Sequence, residues 1–326
     1  MIEHVALWMI ATFARAVLGL WAAAIAFGGP TAPPPMHSVN DPFRSVDFSD
    51  LPALRRYTAR DGTALAYRHY RPRGGQSENR GTVVLIHGSS ARSDSVHPLA
   101  EGLARSGFGV YAIDVRGHGE SGQKGRIAYV GQLEDDLEDF VQAVKPAAPR
   151  CLAGFSAGGG FALRFAASAG QGLFESYLLM APFLSQAAST YRPASGGWAS
   201  VGLPRILGLA ALNAVGVTAF NDLPVTAYAL RPEAQQFLTP SYSFALAMNF
   251  RPHQDYRADM AAARRPMAVV VGQDDDQFIA DRFAPECTAA GRPVPVTIVP
   301  ATGHIGLTLS KAGIQATVDA ITRLGV

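Results

Sequence analysis

The sequence predicts an α/β architecture, a mostly parallel sheet with helices on both faces. Three observations carry that expectation. Short, continuous apolar runs recur along the chain, the pattern of strands buried on both faces. Between them lie segments whose apolar residues repeat at helical spacing. Across 326 residues the apolar fraction is 48% and the charged fraction 17%, which supplies a large core and excludes a disordered chain.

The N-terminal thirty residues stand apart from that rhythm. Residues 5–27 form an apolar run broken by a single charge, Arg15. The length fits a bilayer-spanning helix, which needs about 20 apolar residues. A central arginine costs roughly 2.5–3.5 kcal/mol on insertion, which the flanking Leu, Ile, Phe, Trp and Val offset. Residues 1–27 are therefore expected to be a transmembrane anchor that places the protein at a membrane. Ala24-Ile25-Ala26 also fits the cleavage site of a secretory signal, which would make the mature protein secreted or periplasmic. A third reading packs the run on the domain as a buried or amphipathic helix. Residues 28–47, with three consecutive prolines at Pro33, Pro34 and Pro35, read as an extended, semi-rigid linker.

From residue 48 to 326 the pattern is that of one domain. Segments 57–60 and 64–70 read as strands joined by Asp61-Gly62, a hairpin signal. Residues 82–87 and 109–114 are apolar strands, with a helix over 98–106 between them. Over 130–144, Val130, Leu133, Leu137, Phe140, Val141 and Val144 fall on one helical face. The acidic residues of that stretch, Glu134 to Asp139, are its solvated side. Strand 150–155, helix 158–169 and strand 176–181 follow. Later come strands 267–271 and 294–299, and a closing helix marked by Ile314, Val318, Ile321 and Leu324. Residues 183–265 interrupt the alternation. A structureless loop of that length is rare in a compact domain, so the stretch is expected to be a helical cap inserted over the sheet, with helices at 204–215 and 241–250.

Candidate reactive residues cluster where parallel strands end, the position at which such sheets place their sites. Gly154-Phe155-Ser156-Ala157-Gly158 fits G-x-S-x-G between an apolar strand and an Ala/Phe-rich helix, the setting of a nucleophile elbow. A serine hydroxyl needs a base for its proton and donors for the oxyanion. Strand 267–271 runs into Asp274-Asp275-Asp276, and strand 294–299 into Gly303-His304. Serine, carboxylate and histidine thus follow in one chain order. His87-Gly88-Ser89-Ser90 ends strand 82–87, and the N–H groups of Ser89 and Ala157 are the oxyanion-hole candidates. Asp114, Arg116 and His118, in a glycine-rich loop after strand 109–114, read as structural.

The strings IHGSS, DVRGHGES, GFSAGG, VGQDDDQF and PATGHIGL, in that order, resemble the α/β-hydrolase superfamily. They look most like its monoacylglycerol lipase/lysophospholipase branch, which carries a serine aminopeptidase-type domain. The resemblance covers residues 48–326 and is weakest in the cap. It implies Ser156 as nucleophile, His304 as base and Ser89 as oxyanion residue. It places the acid three residues after Gly272, at Asp275, with Asp274 and Asp276 as neighbours that could substitute. A serine at the elbow argues against dehalogenase and epoxide hydrolase chemistry, where the resemblance would imply an aspartate. Phe155 and Ala157 depart from the Gly-rich elbow of proline iminopeptidases, which argues against peptidase activity.

The implied activity is that of a serine hydrolase of carboxylic esters, of lipid type, acting through an acyl-serine. The apolar cap residues Leu203, Ile206, Leu207, Leu209, Leu212, Phe220 and Leu223 are candidates for an acyl pocket. The same triad would also serve an acyltransferase, a thioesterase or a haloperoxidase. A membrane-tethered binding protein without catalysis is a further alternative, which the intact Ser, Asp and His disfavour. The expected partners are a small-molecule or lipid ester and, through residues 5–27, a membrane. No cofactor and no metal are expected. Cys151 and Cys287 lack metal-ligand spacing and allow at most one disulfide. Lys and Arg number 28 against 26 Asp and Glu, and without a basic cluster nucleic acid is not an expected partner.

Overall fold

The computed structural model describes residues 2–73, 80–193 and 197–325. Helix α1 (Ile2–Phe27) and short helix α2 (His37–Asn40) precede the sheet. Strands β1 (Leu54–Thr58) and β2 (Ala64–Tyr70) form the expected hairpin. Then come β3 (Thr82–Ile86), α3 (His97–Arg105), β4 (Gly109–Ile113), α4 (Gln132–Val144), β5 (Arg150–Phe155), α5 (Ala157–Ala166) and β6 (Ser176–Met180). The insertion follows, with β7 (Ala199–Val201), α6 (Leu203–Ala214), β8 (Pro224–Tyr228), β9 (Ser241–Ser243), α7 (Phe244–Asn249) and α8 (Tyr256–Ala262). The alternation resumes with β10 (Met267–Gly272), α9 (Phe283–Ala289), β11 (Val296–Val299), α10 (Gly306–Leu309) and α11 (Lys311–Arg323).

The eight-stranded sheet has the order β1-β2-β4-β3-β5-β6-β10-β11. It is parallel from β4 to β11, with β2 antiparallel to both of its neighbours. Every residue of β3, β6 and β10 is buried, which is why these strands read as unbroken apolar runs rather than alternating ones. Helices α3 and α11 pack on each other, as do α5 and α8. Cys151 and Cys287 are both buried and free.

The insertion departs from the helical cap expected for it. Strands β7, β8 and β9 form a three-stranded antiparallel sheet beside its helices. The helix expected over 241–250 thus begins as a strand. Ser243 is the residue that changes the chain's course, since its side chain accepts from Leu246 N–H and caps α7. Residues 194–196 of the expected cap lie outside the described residues, as does residue 1 of the expected anchor.

The N-terminal run is helical but does not serve as the expected anchor. Among the described residues no helix is long and apolar enough to cross a membrane. This overturns the transmembrane segment expected over residues 5–27 and the membrane location drawn from it. The charge of Arg15 falls mid-helix, and the last turn is committed to protein. There α1 packs on α6, so closely that a Cβ at Gly208 would sit 2.6 Å from Ile25 Cγ1. Arg205 donates to Ile25 O at 2.6 Å and Ala26 O at 2.7 Å. One guanidinium thereby satisfies carbonyls that the helix end leaves open.

Candidate active site

Four strand ends of the parallel sheet meet at one cavity. Ser156 follows β5 directly and sits at φ 55°, ψ −116°, a left-handed backbone that costs a non-glycine residue of order 1–3 kcal/mol. The surroundings hold it there. Ser156 N–H donates to Met180 O at 2.9 Å, and its carbonyl accepts from Gly160 N–H and Phe183 N–H at 3.1 and 3.0 Å. The turn tolerates only small flanks. A Cβ on Gly154 would lie 2.1 Å from Gly158 O, and one on Gly158 would lie 2.4 Å from His87 O. This is the physical content of the two glycines in the motif.

His304 follows β11 and Asp275 follows β10. His304 Nδ1 and Asp275 Oδ2 are 2.8 Å apart. The other carboxylate oxygen, Asp275 Oδ1, accepts from Gln277 N–H at 2.8 Å and Phe278 N–H at 2.9 Å. Asp275 is buried while Asp274 is exposed and Asp276 half-buried, so only the middle carboxylate of the three meets the imidazole. The His304 ring packs between Phe155 and Phe278, at centroid distances of 4.7 and 5.4 Å.

Ser89 lies beyond β3, on a loop that the insertion holds in place. Trp198 Nε1 donates to Ser89 Oγ at 2.9 Å. Ser90, at φ 67°, donates its N–H to Tyr242 Oη and its hydroxyl to Thr239 O. Gly88 lets the loop close on the elbow, since a Cβ there would be 3.2 Å from the Phe155 ring. Ala157 opens α5, where the first N–H groups of a helix have no intrahelical acceptor. Neither Trp198 nor Tyr242 carried a signal in the sequence, because both reach the site from a different layer of the fold.

Asp114, Arg116 and His118 support the loops around this cavity. Asp114 accepts from Ser93 N–H at 2.7 Å and Glu120 N–H at 2.9 Å. Arg116 is buried between Asp61 and Asp136, 2.8 and 2.6 Å away. His118 Nδ1 lies 3.2 Å from Val115 O, so it carries the proton and leaves Nε2 to accept from Tyr242 Oη at 2.5 Å. Burial holds the imidazole pKa well below its ordinary value, with neighbouring His87 adding to the effect.

The cavity encloses about 550 Å³ and is lined by Ser89, Ser156, Ala157 and His304 together with many apolar side chains. Of the cap residues expected in an acyl pocket only Ile206 reaches it. Leu209 is buried with Val225 and Phe244 in a small core of the insertion itself, against which Leu212 and Leu223 pack. Leu203, Leu207 and Phe220 are exposed. Helical periodicity shows that α6 has a buried face, not which neighbour buries it. Among the described residues no group of three or more His, Cys, Asp or Glu could hold a metal ion.

Comparison with known proteins bears on the fold and the family. A monoacylglycerol lipase of Mycolicibacterium smegmatis is 34% identical over 112 residues, which is 32% of this chain and 38% of that protein. The matched stretch is thus well under half of the relative's length. Among solved structures, a soluble variant of monoglyceride lipase from Saccharomyces cerevisiae superposes with a TM-score of 0.64 at 18% identity, covering 85% of this chain and 96% of that one. The monoacylglycerol lipase of Paleococcus ferrophilus gives 0.59 at 18% identity, covering 80% and 99%. At such identities these two likenesses speak for the fold alone. Residues 77–278, more than half of the chain, match the family described as serine aminopeptidase, S33. With the sheet order, the elbow and the His–Asp pair in view, the chain belongs to that family, Hydrolase_4, of the α/β-hydrolase superfamily.

Proposed function

We propose that this protein is a serine hydrolase of carboxylic esters of lipid type, a monoacylglycerol or lysophospholipid, working through an acyl-serine intermediate. The observation that carries the reading is the 2.8 Å pairing of His304 Nδ1 with buried Asp275, in the same cavity as Ser156. In this reading His304 Nε2 takes the Ser156 proton as Oγ attacks the ester carbonyl. Asp275 fixes the tautomer and stabilises the imidazolium. The N–H groups of Ser89 and Ala157 receive the oxyanion, where preorganised donors stabilise charge as it develops. Collapse of the tetrahedral intermediate breaks the ester C–O bond, and His304 returns its proton to the leaving alcohol. Water then repeats the sequence on the acyl-serine and releases the acid. The lipid character of the substrate rests on the apolar lining of the cavity and on the name of the mycobacterial relative.

A fluorophosphonate probe tests the nucleophile. The parent protein should be labelled at Ser156, and Ser156→Ala should lose both labelling and ester hydrolysis while keeping its melting temperature. Undiminished labelling of Ser156→Ala would overturn the assignment.

A further inference from the structure

One wall of the cavity over Ser156 comes from a segment that spans the boundary between the stretch read in sequence as a linker, up to residue 47, and the domain. Val39, Asn40, Phe43, Phe48 and Leu51 line the same cavity as Ser156 and His304. The segment is fastened at both ends, to different parts of the molecule. At its start, Met36 N–H and Asn40 Nδ2 both donate to Ala229 O, at 3.1 and 3.0 Å, and Asp41 pairs with Arg231. Those partners belong to the insertion. At its end, His97 Nε2 and Asp50 Oδ1 are 2.9 Å apart, and Arg68 donates to Pro52 O. Those partners belong to the main sheet and α3. The segment therefore straps the insertion to the core across the cavity.

The strap is two-sided. Its contribution to the catalytic cavity is four apolar side chains and one amide, with none of its charged residues. Asp47 and Asp50 instead border a separate cavity on the other side, with His97, Glu101 and Arg105. Val39 and Phe43 also pack against the main core, which fixes them as a wall rather than a loose flap. An apolar wall beside a reacting ester carbonyl matches a hydrocarbon chain, since burial of each methylene is favourable and the strap brings only one polar side chain, the Asn40 amide, to the cavity.

We propose that residues 39–51 form the acyl-chain wall of the site, so that the fatty acyl group lies between this strap and the insertion and Phe43 limits its length. The proposal rests on the esterase reading above. It makes the N-terminal strap, alongside the insertion, a determinant of acyl selectivity.

The test uses the full chain and p-nitrophenyl esters from acetyl to lauroyl, below their aggregation limits. Phe43→Ala should move the kcat/KM optimum at least one step toward longer acyl chains. Val39→Phe should move it at least one step toward shorter ones. A second series holds the acyl group fixed and varies the alcohol, and the ratios of kcat/KM between its alcohols should respond to neither substitution. Profiles unchanged in both variants would overturn the proposal, as would shifts confined to the alcohol series. Laurate binding to Ser156→Ala, followed by calorimetry, reads the wall without turnover. There Val39→Phe should weaken binding at least severalfold, and unchanged affinity would overturn the strap's role. Absence of all ester hydrolysis alongside a binding response to Val39→Phe would sink the esterase reading and leave the wall standing. If Phe43→Ala does not fold, Val39→Phe decides both arms.

Discussion

Trp198 Nε1 donates a hydrogen bond to Ser89 Oγ across 2.9 Å, joining the insertion to the loop whose N–H is proposed to receive the oxyanion. The same loop is held at Ser90 by Tyr242 and Thr239. Insertion and oxyanion loop are thus one hydrogen-bonded unit, and the loop's position depends on the insertion being in place.

Removing the indole donor should therefore be felt in kcat more than in KM. In Trp198→Phe the aromatic packing on Tyr228, at a centroid distance of 5.5 Å, is retained and the donor is lost. A neutral hydrogen bond is worth about 0.5–1.5 kcal/mol, so kcat should fall between about two- and tenfold. Steady-state kinetics on one short-chain ester measures this. An unchanged kcat would show that the loop holds its place without Trp198.

Asp275 is expected to orient His304. Asp275→Asn should lower kcat by about 10⁴, the loss seen when a triad acid is replaced by an amide, with the fold intact by circular dichroism. Asp274→Asn and Asp276→Asn should change kcat by less than about threefold, since the imidazole Nδ1 is paired with Asp275 alone of the three. Damage from Asp274→Asn or Asp276→Asn comparable to that from Asp275→Asn would refute the assignment.

The buried histidines set an acid limit on stability. Burial lowers the pKa of His118 well below its ordinary value and that of His87 below its own. His118 faces the His87 ring at 4.8 Å, the Tyr242 hydroxyl and the Phe250 ring. In the unfolded chain both would titrate near pH 6.5. Below that pH the unfolded state binds more protons than the folded one, so stability is full above about 6.5 and falls as the pH drops toward the folded-state values. Urea midpoints between pH 8 and 5 should decline, and His118→Gln should decline less steeply. Equal slopes in the two proteins would exclude His118 as a contributor.

Much of this fold is written in local pattern. Strands β3, β5, β6 and β10 are buried along nearly their whole length, and a strand with no solvent side is predominantly apolar, so each stands out as a run. Their ends are marked by the residues that tight turns require. Local pattern alone therefore places Ser156, the acidic loop and His304 at strand ends. The insertion is legible only as a break in rhythm, because its strands of three to five residues are too short to show a period.

What the linear pattern carries is the spacing of apolar, turn and polar residues, and that determined the sheet, the elbow and the order of the reactive groups. Tertiary structure alone decided which neighbour each face meets. Of three consecutive aspartates it buried Asp275 under two backbone N–H donors and paired it with His304. It placed Leu209 and Leu212 of α6 in and against the insertion's own core, and left Ile206 alone of the residues expected in an acyl pocket to reach the cavity with Ser156. It brought Trp198 to Ser89 from a distant stretch of chain, and it laid residues 39–51 along the cavity. The physical reason is common to all four. Periodicity reports that a surface is buried, and burial against any apolar partner is nearly equivalent in free energy per unit area, so the identity of the partner is fixed only when all the elements pack at once.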